Sequence, residues 1–194
     1  MDVAGMNLNQ SKSIYTEGND PHCPCCPSCS TAPESCSHVL HCEEVGRVNA
    51  LQRSIGWLDT CLEGVGTDQT LHQALVQYAR GRGSCSVEVI VSGWRTGFQE
   101  FGYSQDKISW QRFMEGMISR ETLAIQGDFV KMEACSLSLG VWVRGLVVKL
   151  LEVTHGQWLS CNVQVHNTAS GIHATARKEE IQHWIEDQIE LGEE

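Results

Sequence analysis

Residues 26–42 read CPSCSTAPESCSHVLHC, and their spacing, Cys26-x2-Cys29-x8-His38-x3-Cys42, governs how the whole chain is read. A Cys-x2-Cys knuckle presents two thiolates from one tight turn. A His and a Cys four residues apart lie on one face of a helical turn. The spacer, with Pro33 in it, folds back to join the two halves. Closing so short a loop costs little entropy. Three soft thiolates and one imidazole are the donors that Zn²⁺ takes at tetrahedral corners, with Zn–S near ~2.3 Å and Zn–N near ~2.0–2.1 Å. With all four positions filled by protein, no water site stays open, so the expected zinc is structural. Its binding would supply folding energy that a module this small lacks.

Other donors compete inside the same stretch. Cys23-x2-Cys26 is a second knuckle, Cys36 stands close enough to replace His38, and His41 adjoins Cys42. The preferred metal set is Cys26, Cys29, His38 and Cys42. A two-zinc domain would need about eight ligands, and no further Cys-x2-Cys pair follows Cys42.

Composition agrees with this metal reading. Six of the 10 Cys fall between Cys23 and Cys42, and the other four, Cys61, Cys85, Cys135 and Cys161, stand alone. A secreted disulfide scaffold would spread paired Cys along a short chain. The lone cysteines are expected to be small buried apolar groups. The first residues carry no basic segment followed by an apolar one, so no secretory signal is read, and an intracellular setting, nuclear or cytoplasmic, is expected. The most apolar stretch, Leu137 to Val153, is interrupted by Arg144, Lys149 and Glu152. No membrane span is therefore predicted. Lys and Arg number 14 against 24 Asp and Glu, a formal net charge of -10. That excludes a protein whose main task is to neutralise phosphates, while leaving room for a small local nucleic-acid contact.

Outward from the Cys/His segment, the chain divides into a polar arm (1–21) expected to be disordered, the CCHC-type zinc knuckle (22–44) and a helical domain (45–194). All four prolines lie between Pro21 and Pro33. The proline-free remainder suits helices. Val48, Leu51, Ile55, Leu58 and Leu62 step by three and four, one stripe of a helix over Gly46 to Gly64. Asp68 to Arg80 reads as a second helix, with Leu71, Leu75 and Tyr78 or Ala79 inward, ended by Gly81 and Gly83. Ser86 to Ser92 (SVEVIVS) fits a short strand or a buried helical turn. Gly93 to Asp106, rich in Gly, Ser and aromatics, reads as a loop. Ile108 to Lys131 reads as one helix with Trp110, Phe113, Met114, Met117 and Ile118 near one face. Leu139 to about Val165 is apolar nearly all round, the pattern of a central buried helix. Thr175 to Leu191 closes the chain with Ile181, Trp184, Ile185 and Ile189 on one side and a solvated acidic face on the other. The expected fold is mainly α, a zinc knuckle followed by a bundle of four to six helices, with Trp110, Trp142, Trp158 and Trp184 as core anchors.

Beyond this spacing, the segment resembles the zinc-binding segment that follows the polymerase core in eukaryotic non-LTR retroelement reverse transcriptase polyproteins. The residues that carry the likeness are Cys26, Cys29, the acidic Glu34 in the spacer, and His38-Val39-Leu40-His41-Cys42. QDKISWQRFMEGMIS (105–119) and VRGLVVKLLEVTHGQWLSCNVQVHN (143–167) look like the helical segments beyond that motif, with a local Trp158-x3-Asn162-x3-His166 pattern. The likeness spans Cys23 to Leu191. No Tyr-x-Asp-Asp carboxylate signature and no room for a polymerase palm exist here. The resemblance therefore implies a tail fragment, a degraded copy or a stand-alone gene, without enzymatic activity. In an intact polyprotein the knuckle would assist binding of template RNA or DNA. The alternative is a helical protein-interaction adaptor whose N-terminal part is stapled by structural zinc.

Other chemistry is weaker. His155 and His166, eleven apart, share a helix face near Cys161 and are read as packed or hydrogen-bonded interior groups rather than a second metal site. Six and five residues from Cys161, they point to other faces than its thiol, which does not suit a thiol enzyme. Gly81-Arg82-Gly83 is short of any phosphate-binding loop and is read as a turn.

Overall fold

The computed structural model describes residues 25–163 apart from 27, 34 and 134–137, together with Gly171; of Cys36 it describes the backbone alone. The arm over 1–21, Cys23, Cys135, His166 and the Thr175 to Leu191 helix with Trp184 lie outside the described residues. By packing, the chain forms two units, Cys36–Leu159 and a second made of Met1–Ser35 with Ser160–Glu194.

The described residues are helical, with no strand among them. In the first unit α1 (Cys36–His41) leads into α2 (Val45–Gly64), α3 (Gln69–Gly81), α4 (Val87–Ile90), α5 (Thr96–Ile108), α6 (Trp110–Met114) and α7 (Arg120–Met132). Residues 139–163, here α8, are helical as well. Since α4 and α6 are single turns, five helices of three turns or more follow α1 among the described residues, within the range expected.

Each longer helix forms because its apolar residues recur on one face. In α2, Leu51, Ile55, Leu58 and Leu62 are buried as the spacing requires, while Val48 is half-buried and Arg47 takes the inward place before it. The Glu44 carboxylate opens α2 by accepting from the N–H groups of Gly46 and Arg47, which holds it below the usual carboxylate range. In α3, Asp68 accepts from Leu71 N–H, and Leu71, Ala74, Leu75, Tyr78 and Ala79 turn inward. Burial, and secondarily the charge of Asp106, pushes the Tyr78 hydroxyl upward. α2 packs on α3, and α5 packs on α4 and α7, around one apolar core.

Of the two readings of Ser86 to Ser92, the helical turn is the one found: Val87–Ile90 makes it, its N–H groups taken by Ser86 and by the Asp106 carboxylate (2.8 and 2.9 Å). Other expectations are corrected. Gly93 to Asp106 is not a loop. Phe98, Phe101, Gly102 and Gln105 are buried at helical spacing, and α5 occupies most of it. Its glycine is what the crossing needs: a Cβ on Gly102 would lie 2.9 Å from Val91 Cγ2 and 3.0 Å from Glu88 Cα.

The helix expected from Ile108 to Lys131 is two. Gly116, at φ +87°, ends α6, and the Ser119 hydroxyl accepts from Thr122 N–H to begin α7. The buried Gln105 fixes the break, accepting from Ser119 N–H (2.9 Å) and donating to the Met117 carbonyl (3.3 Å). Met117, expected inward, is exposed.

Finally, α8 is not buried on all sides. Trp142, Leu146, Leu150, Val153 and Gln157 form one inward stripe, while Val141, Val148, Leu151, Leu159 and Trp158 (51%) are exposed. Apolar composition does not say which face finds a neighbour, and only one does. Trp158 thus anchors no core; its ring stacks on exposed His155 at 5.7 Å, whereas Trp110 and Trp142 are buried. The lone cysteines divide as well: Cys161 is buried, Cys61 and Cys85 only partly. Among the described residues no helix is long and apolar enough to cross a membrane.

Candidate metal centre

The Cys26 end begins with a backbone reversal. Cys26 N–H donates to the Ala32 carbonyl and Ser30 N–H to the Cys26 carbonyl, both at 2.8 Å. An isolated antiparallel bridge joins Cys25 and Pro33, and Ser30 takes φ 56° at the bend. This is the tight turn that a Cys-x2-Cys pair needs. α1 follows and carries His38, with Cys42 directly beyond its last residue.

Local folding brings the four side chains together. The ligand atoms of Cys26, Cys29, His38 and Cys42 all lie within 4.8 Å of one another. Tetrahedral Zn–S bonds of ~2.3 Å would set sulfurs about 3.5–4 Å apart. The cluster is thus within a small contraction of a coordination sphere. Cys26 and Cys42 are buried (1% and 2%), and Cys29 and His38 are half-buried. Three thiols and an imidazole brought to one place are the arrangement that a soft divalent cation matches, and the donor set fits Zn²⁺.

Of the competing donors, Cys23 lies outside the described residues, as does the Cys36 side chain. His41 has other partners: Nδ1 meets the Ser37 carbonyl at 2.9 Å, and its ring stands edge-on to Trp110 at 4.9 Å. His155, the described member of the His155–His166 pair, is exposed and engaged with Trp158. Arg82 of the Gly-Arg-Gly turn donates to the Leu40 and Cys42 carbonyls (3.2 and 2.9 Å). The turn is therefore tied to the Cys/His segment, and the signal that sequence reasoning passed over there is a lone cation between two glycines.

Comparison with models of known families, with curated proteins and with solved structures brings no match.

Proposed function

We propose that this chain is a non-enzymatic zinc module of retroelement origin, in which one structural Zn²⁺ held by Cys26, Cys29, His38 and Cys42 closes the N-terminal segment. The observation that carries the proposal is the convergence of these four donors within 4.8 Å. The motif's likeness to the segment behind retroelement polymerase cores supplies the origin and the role: a short, ordered contact for single-stranded RNA or DNA. The charge of -10 keeps that contact small. Zinc here acts by folding the segment, because four protein ligands leave no position for substrate.

Native mass spectrometry of the full chain tests the metal, with one zinc per chain expected and lost to a chelator. Binding to single-stranded RNA across a salt series tests the role. Affinity that falls as salt rises supports it, because released counterions scale with phosphate contacts; no binding at low salt overturns it.

One observation favours a second reading, a zinc-stapled helical adaptor for a protein partner. Val141, Val148, Leu151, Trp158 and Leu159 are exposed together on α8, and contiguous exposed apolar surface marks interaction sites. Absence of RNA binding with zinc retained would select it.

A further inference from the structure

Two arginines hold the half of the centre that contains His38 and Cys42. Arg47 is 1% exposed, and among the described residues it joins no ion pair. Its guanidinium donates to the Val39 carbonyl (2.8 Å) and the Gln157 carbonyl (2.7 Å). Arg82 donates to the carbonyls of Leu40 and Cys42. Three of these four acceptors belong to the stretch between Val39 and Cys42, where the last carbonyls of α1 have no partner within the helix.

Arg82 is half-buried, but satisfying helix-end carbonyls does not by itself call for a buried cation such as Arg47; water or a backbone N–H would serve. A guanidinium taken out of water without a hydrogen-bonded carboxylate loses much of its hydration energy. Something nearby must offset that loss. Zn²⁺ bound by three thiolates and a neutral imidazole carries a single net negative charge. The nearest acid in sequence, Glu44, feels the charge of Arg47 only in last place, its carboxylate being held first by the N–H groups of Gly46 and Arg47.

Resting on the zinc reading above, we infer that Arg47 and Arg82 are positioning residues of the metal centre. They clamp the Val39–Cys42 backbone so that His38 and Cys42 keep their geometry, and their charge offsets that of the zinc–thiolate complex. Zinc affinity is thereby tied to the helical body, since Arg47 stands on α2 and Arg82 just beyond α3.

The test uses the full chain and the substitutions Arg82→Met, Arg82→Lys, Arg47→Met and Arg47→Lys, with the exposed Arg112→Met as control. Zinc affinity is read by competition with a chromophoric chelator, the ligand set by the visible spectrum of the Co²⁺ form, and folding by circular dichroism. Arg82→Met is expected to weaken zinc about tenfold or more, as loss of groups that orient metal ligands does. Its cobalt spectrum at saturation should be that of the parent. Arg82→Lys should recover part of the loss because it restores the charge, and Arg112→Met should change nothing. If Arg47→Met does not fold, the Arg82 pair decides alone. Parental zinc affinity in Arg82→Met, or equal losses in the Met and Lys variants, overturns the inference and leaves the zinc site standing. A parent chain that binds neither zinc nor cobalt overturns the zinc reading itself.

Discussion

The indole N–H of Trp142 donates to the hydroxyl of Thr67 at 2.9 Å, and that hydroxyl donates in turn to the Leu62 carbonyl at 2.6 Å. The pair ties α8 to the turn between α2 and α3, and both side chains are buried. Thr67→Val keeps the volume but strands the indole N–H, while the Leu62 carbonyl still accepts from the N–H of residue 67 (3.2 Å). The expected loss is about 1–3 kcal/mol, the cost of an unsatisfied buried polar group. Thr67→Ser keeps the hydroxyl and should lose less. Urea unfolding of the three chains, compared by midpoint at equal slope, checks the order.

Two glycines of α5 should respond to alanine with opposite signs. Gly102 has no room, because its Cβ would press on Val91 and on the Glu88 backbone. Overpacking of this kind costs about 1–3 kcal/mol. Gly97 meets nothing within 4 Å. Alanine there should stabilise by about 0.4–1 kcal/mol through the unfolded chain and helix propensity. Thermal unfolding of each variant against the parent reads both signs in one experiment.

The same contrast explains what sequence reasoning reached. The stripes of α2 and α3 were legible because Leu51, Ile55, Leu58 and Leu62, then Leu71 and Leu75, repeat at helical spacing whatever they pack against. α5 was not, since its buried face is made of Phe98, Phe101, Gly102 and Gln105, residue types that also fill loops. The break at Gly116 depends on Gln105 reaching over from another helix, which no local window contains. Arg47 is the extreme case: one of its acceptors, Gln157, lies 110 residues away. The Cys/His cluster was legible for the opposite reason. All its donors sit between Cys26 and Cys42, so spacing alone constrains their geometry.

If the four clustered side chains are the ligands, neighbouring donors are dispensable. His38→Ala should abolish zinc binding, or leave a site so weak that a chelator strips it at once. His41→Ala should keep one zinc per chain, because that ring is occupied with Ser37 and Trp110. Cys29→Ser and Cys25→Ser should separate in the same way, with zinc lost in the first and kept in the second. Native mass spectra at matched zinc decide each pair. Equal loss in both members of either pair would mean that the ligand set is assigned wrongly.

Acid should reveal the tie between α5 and α7. The nearby Ser104 hydroxyl, and after it the residue's own backbone N–H, holds the Glu121 carboxylate below the usual range. A carboxyl whose folded value is depressed stabilises the fold fully above its unfolded value, near ~4.3 for Glu. The stabilisation fades as pH falls through the lower folded value. Because Glu121 is only half-buried, solvent screening should keep the effect below about 1 kcal/mol. Glu121→Gln should therefore be slightly less stable than the parent at neutral pH, and the difference should vanish on acidification below the ordinary carboxylate range. Comparing parent and variant at each pH cancels the proton competition for the zinc ligands that both share. A difference that persists unchanged into acid would place the effect of Glu121 in packing rather than in charge.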